Sequence, residues 1–213
     1  MSATAKVVAG IDVGGARRGY HAVALRNGAF QATASTDPDE LVAWCLAQGA
    51  SIVAVDAPCA WSRSSSSRRA EREMRIKDRK IHCYATPTRV RADGHPFYGW
   101  VFNGERLYQR LAGHYPLFDG HGREGPLCFE TFPHAVVCAL AGDVVPAKPK
   151  MSTRRAVLGN YGYELSALRN LDLVDAGLCA LAADCFASGR VTLFGDGSEG
   201  FIVVPAVAAR VQG

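Results

Sequence analysis

The chain has 213 residues, of which 48% are hydrophobic and 21% charged, and its formal net charge is +4. These values are ordinary for a globular protein with one sizeable core. The sequence lacks the run of roughly 20 apolar residues that a membrane span needs and shows no signal-peptide pattern, so we expect a cytoplasmic protein without a membrane partner. Seven cysteines without a C-x-x-C pair argue against a disulfide framework and a structural zinc site.

The first segments of the chain predict an antiparallel meander. Residues 6–13 form an apolar run that contains Asp12 and ends at a Gly-Gly turn, a pattern typical of a buried central strand. Residues 19–26 and 28–34 alternate in part and are separated by an Asn-Gly dipeptide, which accepts the positive φ angles of a two-residue hairpin. Three consecutive strands are therefore expected.

A helix and a second buried strand follow. Asp37 is a candidate N-cap, Pro38 fits the first helical position, and Gly49 ends the helical pattern. Residues 51–56 then form another apolar run, which ends in Asp56 and is stopped by an Ala-Pro dipeptide. An acidic residue thus stands near the end of each of two buried strands.

The middle of the chain is basic and irregular. Residues 63–80 hold eight Arg and Lys against three acidic residues, so this segment carries +5 and the rest sums to about −1. Such a local excess favours a polyanionic partner, although a solvated helix of mixed charge is the alternative. We predict a basic helix after the serines at 64–67, an irregular stretch, and a helix around 103–112. Residues from about 62 to 125 are treated as an insertion.

The last third of the chain alternates strands and helices. Residues 127–132 predict a strand that carries Glu130, and residues 172–187 predict a helix with Asp172 and Asp175 three positions apart. Further elements are expected as helices near 134–141 and 152–159 and as a hairpin or two short strands at 191–194 and 201–204. No second domain boundary is visible, so we expect one α/β domain over residues 1–213.

Five carboxylates form the main functional signal. Asp12, Asp56 and Glu130 stand in apolar runs, where a buried charge is costly unless it is compensated. For each one alone a structural explanation is open: a turn cap, backbone hydrogen bonds or an arginine partner. Together with Asp172 and Asp175 they offer the oxygen ligands that Mg²⁺ and Mn²⁺ prefer. Two such ions about 4 Å apart can catalyse phosphodiester hydrolysis.

Four segments resemble the motifs of domain-of-unknown-function family 429, whose members are described as predicted nucleases with an RNase H-like fold. The motifs are Gly10-Ile11-Asp12-Val13-Gly14, Ala54-Val55-Asp56-Ala57-Pro58, Glu130-Thr131-Phe132-Pro133 and Asp172-Leu173-Val174-Asp175-Ala176. Each motif alone is weak, but their order and spacing are specific, and the resemblance spans residues 8 to about 182.

The resemblance implies an RNase H-like fold with a mixed five-stranded central sheet flanked by helices, in which three strands are antiparallel, two are parallel and the first is central. Asp12 and Asp56 would be neighbours. In related Holliday-junction resolvases an acidic pair near the start of the last helix completes the metal centre, and Asp172 and Asp175 hold the matching place. Glu130 would be a further ligand or would support one. Such resolvases act as dimers, so a homodimer is an open alternative.

These considerations predict a divalent-metal-dependent nuclease. Its expected catalytic residues are Asp12, Asp56, Glu130, Asp172 and Asp175. Of these, Asp12, Asp56 and Asp175 are expected to ligate Mg²⁺ or Mn²⁺. The last motif departs from the family, because Leu171-Asp172 replaces two adjacent aspartates. One carboxylate is therefore missing, which leaves a one-ion site or an inactive binding protein as alternatives.

Nucleic acid, either DNA or RNA, is the expected partner. Arg69, Arg72 and Lys80 are the candidate phosphate contacts, since a nuclease must also hold the backbone. Four aromatic residues follow: Tyr84, Phe97, Tyr98 and Trp100. They could stack on the bases of single strands, although core packing is the commoner role of aromatic residues. No histidine is assigned a role.

Two alternatives belong to other functional classes. A noncatalytic module that binds nucleic acid or protein could keep the fold and the carboxylates for structure alone, and buried ion pairs at those positions would favour it. An actin-like nucleotide-binding protein also places an aspartate and glycines after its opening strand, as in Asp12-Val13-Gly14-Gly15. Such proteins use two halves of this fold, however, and 213 residues hold only one.

Overall fold

The computed structural model describes residues 6–64, 66–122 and 125–207. Within these residues the fold is mixed α/β, with a seven-stranded sheet flanked by helices. The strands are β1 (Val7–Val13), β2 (Tyr20–Arg26), β3 (Ala29–Ser35), β4 (Ala50–Asp56), β5 (Arg75–Ile76), β6 (Arg79–Lys80), β7 (Leu127–Glu130), β8 (Val191–Asp196) and β9 (Gly200–Pro205). The helices are α1 (Pro38–Ala47), α2 (Arg69–Glu73), α3 (Arg89–Ala92), α4 (Gly99–Leu111), α5 (Pro133–Ala141), α6 (Lys150–Asn160) and α7 (Leu171–Ala187), with a 3-10 turn at Pro96–Tyr98. In these parts of the chain, no helix is both long and apolar enough to cross a membrane.

The central sheet has the strand order β3-β2-β1-β4-β7-β9-β8. β1, β2 and β3 are antiparallel neighbours, and β4 and β7 run parallel to β1, as expected. The predicted number of five strands is wrong, because the C-terminal hairpin β8-β9 also joins the sheet, with β9 parallel to β7. An open edge at β7 would leave backbone groups unpaired, and β9 covers that edge.

Side chains of the central strands alternate between two helical layers. On β1, Val8 packs into the core that contains α7, whereas Ile11 packs on the opposite face with residues of α1 and α4. On β4, Ile52 belongs to the α7 side. Because alternate residues share a face, Asp12 and Asp56 also point toward α7.

Helix α7 packs very closely on β1 at Gly10. A Cβ atom at this position would lie 2.1 Å from the carbonyl oxygen of Ala176 and 2.2 Å from the amide nitrogen of Ala180. Glycine therefore permits a contact that any other residue would prevent. This contact brings the first turns of α7 to the carboxyl ends of β1 and β4.

We expect Gly10→Ala to lower the free energy of unfolding by about 1–3 kcal/mol or more, because the clashing atoms are backbone and cannot rotate away. Gly99→Ala at the start of α4 is the matched control, since its Cβ would meet nothing within 4 Å. Urea titration of both variants and the wild type measures the difference. Equal urea midpoints for Gly10→Ala and Gly99→Ala would contradict the close packing of α7 on β1 at Gly10.

The predicted basic helix is short. Among the described residues of the segment 63–80, only Arg69–Glu73 is helical, and the two-stranded ribbon β5-β6 follows it. Arg68, at the N-cap position of this helix, is fully buried and bonds to Glu71 and Glu130 instead of facing solvent. The segment is therefore anchored to the sheet by one of its own basic residues.

Candidate active site

Asp12 and Asp56 lie side by side at the carboxyl ends of two central strands. They are aligned in the parallel register of β1 and β4, so the two strands place them as the resemblance implies. The two carboxyl groups adjoin each other, and interaction with Asp56 lowers the pKa of Asp12 slightly against the other influences on it. Two carboxyl groups this close disfavour each other's ionisation.

Burial strongly raises the pKa values of this pair. Desolvation raises the pKa of Asp12 to about 8, and the negative charges of Asp175 and Asp172 add to the effect. Desolvation, followed by the charge of Asp12, raises the pKa of Asp56 well above its ordinary value. Near neutral pH the pair therefore retains a proton unless a cation replaces it.

Two more carboxylates come from the first turns of α7. Asn170 caps this helix by accepting a hydrogen bond from the Leu173 amide at 2.8 Å, which fixes the direction of the first turn. Asp172 is partly exposed and Asp175 is buried. Both act on the pKa of Asp12, so the structure brings four of the five predicted carboxylates together.

Asp175 already has a basic partner. Arg154 of α6 donates a short hydrogen bond to its Oδ1 atom, and both side chains are buried. Burial raises the pKa of Asp175, while the charge and hydrogen bond of Arg154 act in the opposite direction. If Asp175 ligated a metal ion, as predicted, its carboxylate would have to bind the ion and Arg154 at the same time.

His21 belongs to the same cluster, although sequence reasoning gave it no role. One donor atom each from Asp12, His21 and Asp172 lies within 4.8 Å of the others, and His21 Nε2 is 3.9 Å from Asp172 Oδ2. His21 stands opposite Asp12 in the antiparallel register of β1 and β2. The pairing register of β1 and β2 could have identified His21 from the sequence. That register, however, depends on the length of the turn between the two strands.

Glu130 lies on the other face of the sheet. It is aligned with Val55 and not with Asp56 in the register of β4 and β7, so it points away from α7. Arg68 donates two hydrogen bonds to its carboxylate, at 2.6 and 2.7 Å, and the Cys59 amide donates a third at 2.8 Å. The carboxylate is buried and neutralised, and the structure does not bring it into the cluster.

An open cleft of about 410 Å³ gives access to the four clustered carboxylates. Its walls carry three basic side chains, from Arg18, Lys150 and Arg154, and four aromatic ones, from Tyr84, Phe97, Trp100 and Phe132. Arg18 is 73% exposed and lies 3.4 Å from Asp172. The cleft thus combines negative charge at its base with basic and aromatic groups at its walls.

Two of the three predicted phosphate contacts lie near this cleft. Arg72 and Lys80 line a cavity of about 120 Å³ together with His82. His82 also lines a neighbouring cavity of about 380 Å³ with Lys148 and Lys150, and Lys150 lines the cleft itself. We call these five residues the basic track, because they connect the cleft to the basic segment.

Arg69 is directed elsewhere. Its guanidinium is paired with Glu73 at 2.5 Å and with Asp196 at 3.3 Å. It therefore ties α2 to the end of β8 and is not among the residues that line the cleft or the two neighbouring cavities.

The donor set fits a bound cation on two observations. Burial first, and then the negative charges of Asp175 and Asp172, raise the pKa of Asp12 to about 8, so a nearby positive charge would stabilise its ionised form. In addition, His21 Nδ1 is buried without a hydrogen-bond partner in the described part of the chain, which is uncommon for a buried polar atom. Asp12, His21 and Asp172 could therefore hold a metal ion.

Comparison with known protein families gives one finding. A family model described as "Protein of unknown function (DUF429)" matches residues 10–199, which include the carboxylates, the cleft and the basic track. Neither the curated proteins nor the solved structures contain a match to the chain.

Proposed function

Because the chain belongs to the family of proteins of unknown function DUF429, we infer its function from the cleft and propose a divalent-metal-dependent nuclease that hydrolyses phosphodiester bonds. The observation that carries this proposal is the convergence of Asp12, His21 and Asp172 within 4.8 Å at an open cleft. Carboxylates favour Mg²⁺ and Mn²⁺, and the imidazole shifts the preference toward Mn²⁺.

The strand arrangement supports an RNase H-like fold. The neighbouring strands β3-β2-β1-β4-β7 have the order and directions that such a fold implies, with β1 central. The last helix, α7, adds carboxylates beside the ends of β1 and β4. In this proposal the hairpin β8-β9 is an extension of the five-stranded sheet.

In the proposed reaction Asp12, His21 and Asp172 would hold the ion, which when bound would supply positive charge to the phosphate and lower the pKa of water. Asp56 adjoins Asp12, and burial raises its pKa well above its ordinary value. Once the ion has displaced the proton of the pair, we assign Asp56 the role of accepting a proton from the attacking water, while solvent would protonate the departing oxygen. Lys150 at the cleft wall would contact a non-bridging phosphate oxygen.

Nucleic acid is the partner that the charge distribution favours. The basic track continues from the cleft through two neighbouring cavities. A polymer of phosphates would be neutralised along this path, whereas a small phosphate ester would occupy the cleft alone. The segment at residues 63–80 that appeared basic in the sequence thus contributes Arg72 and Lys80 to this path.

Cleavage of labelled nucleic acids tests the proposal directly. Single-stranded, duplex and branched DNA and RNA are incubated with the protein and Mg²⁺ or Mn²⁺. We expect metal-dependent cleavage, and we expect Asp12→Asn to reduce its rate by about 100-fold or more, because a metal ligand is lost. Asp184→Asn on α7 is the control, since Asp184 does not line the cleft.

A noncatalytic binding module is the second candidate, and the buried ion pairs favour it. Arg154 neutralises Asp175, and Arg68 neutralises Glu130. If the same panel shows nucleic-acid binding but no cleavage with either metal, the carboxylates would serve structure and this candidate would replace the nuclease.

A further inference from the structure

We propose that the substrate is single-stranded nucleic acid and that Tyr84 and Phe97 at the cleft wall receive its unpaired bases. This inference rests on the proposed nuclease function and extends it to a substrate class. It follows from the exposure of these two rings, their position beside the carboxylates and the charges around them.

Tyr84 and Phe97 form an exposed aromatic platform. Tyr84 is 70% exposed and Phe97 is 43% exposed. Their ring centroids are 5.2 Å apart with an interplanar angle of 70°, an edge-to-face contact that supports the platform and leaves much of the Tyr84 ring open. Large aromatic side chains usually bury most of their surface, so such exposure at a cleft points to a ligand.

The platform adjoins both the carboxylates and the basic track. Tyr84 lines the cleft and also the neighbouring cavity that contains Lys148 and Lys150. Phe97 lines the cleft, and Tyr98 packs against its ring with centroids 5.1 Å apart. A nucleotide at this position could stack its base on the platform while its phosphates reach the metal ligands on one side and the lysines on the other.

Ring stacking favours a single strand over a duplex. In a duplex each base face is covered by the adjacent base pairs, so a protein ring can stack only on a base that is unpaired or flipped out. The cleft volume of about 410 Å³ lies within the range of pockets that hold one small ligand. It therefore suits one nucleotide, with the rest of the strand along the basic track.

The occupant is better explained as nucleic acid than as an apolar partner. The platform is bordered by Lys150 and Arg154 and stands over clustered carboxylates. An apolar protein surface would offer no partner to the charge of Lys150, whereas a nucleotide offers both a π-face and phosphate groups.

Binding by fluorescence anisotropy tests this inference separately from cleavage. A labelled single strand and a hairpin whose duplex arm contains that same sequence are titrated with the protein in Ca²⁺. A denaturing gel checks that both remain intact. We expect tighter binding of the single strand. Tyr84→Leu should weaken that binding roughly 5- to 100-fold, as loss of one stacked base predicts.

Two further variants define the cause. Tyr84→Phe keeps the ring and should bind within about twofold of wild type, because stacking needs only the π-face. Tyr161→Ala removes a tyrosine that is 44% exposed but does not line the cleft, and should leave binding unchanged.

The outcomes separate this inference from the nuclease proposal. Equal affinity for duplex and single strand, with no effect of Tyr84→Leu, would overturn the inference even if metal-dependent cleavage occurs. Selective single-strand binding that depends on the Tyr84 ring would support it, even if no metal gives cleavage and the nuclease proposal fails.

Discussion

Replacing Arg68 with methionine is expected to lower the free energy of unfolding by about 3–5 kcal/mol, a large fraction of the stability of an ordinary domain. Arg68 is fully buried and donates hydrogen bonds to Glu130 at 2.6 and 2.7 Å and to Glu71 at 2.9 Å. Methionine would fill much of the space but would leave two buried carboxylates without a cation. Chemical denaturation measures the loss.

Two matched variants test whether the missing charge is the cause. Arg89→Met removes an arginine that is 57% exposed and pairs with Glu105, and we expect a much smaller change, because solvent screens an exposed ion pair. Arg68→Met combined with Glu130→Leu removes both charges and should recover part of the lost stability. An Arg68→Met variant as stable as Arg89→Met would contradict the assignment of Glu130 as a structural partner.

Local sequence patterns predict the elements of this fold well. The Asn-Gly dipeptide between β2 and β3 adopts the expected positive φ angles, 50° at Asn27 and 78° at Gly28. Asp37 caps α1 as its position suggested, with its side chain accepting a bond from the Asp39 amide. These features depend on a few adjacent residues, so the sequence alone determines them.

Features that depend on register or on distant partners are harder to predict. His21 joins the cluster only through its pairing with Asp12 across two strands, and Glu130 leaves it because its register faces the other side of the sheet. Arg68 is of a residue type that often contacts phosphate, but it is buried. Tyr84 is of a residue type that usually packs in the core, but it is exposed. The type of a residue therefore indicates its chemistry, but not whether its side chain faces the core, the cleft or the solvent.

The metal-free protein is expected to lose stability as the pH rises from about 5 to 9. The pKa of Asp12 is about 8 in the folded protein against an ordinary value of 3.8. Between these values the folded state binds more protons than the unfolded state, so stability falls as the pH rises through the folded pKa. The pKa of Asp56 is also raised, and its ionisation acts in the same direction. Thermal unfolding in EDTA across this range measures the effect.

A divalent ion should reverse this loss, because it replaces the proton between the carboxylates. We expect Mn²⁺ or Mg²⁺ to raise the melting temperature more at high pH than at low pH. Asp12→Asn should respond least to the metal. Without metal above about pH 8, this variant should be more stable than wild type by more than about 1 kcal/mol, because it lacks the buried charge.

A purely structural role for Asp12 leads to the opposite expectation. If the carboxylate served only to accept hydrogen bonds within the fold, Asp12→Asn would destabilise the protein at every pH, and metal would shift wild type and variant alike. Asp184→Asn, on the same helix as Asp172 but away from the cleft, should keep the wild-type pH profile and metal response. A variant that is more stable but no longer responds to metal would show that the fold tolerates Asp12 at a cost in stability, as expected for a residue retained for ligand binding.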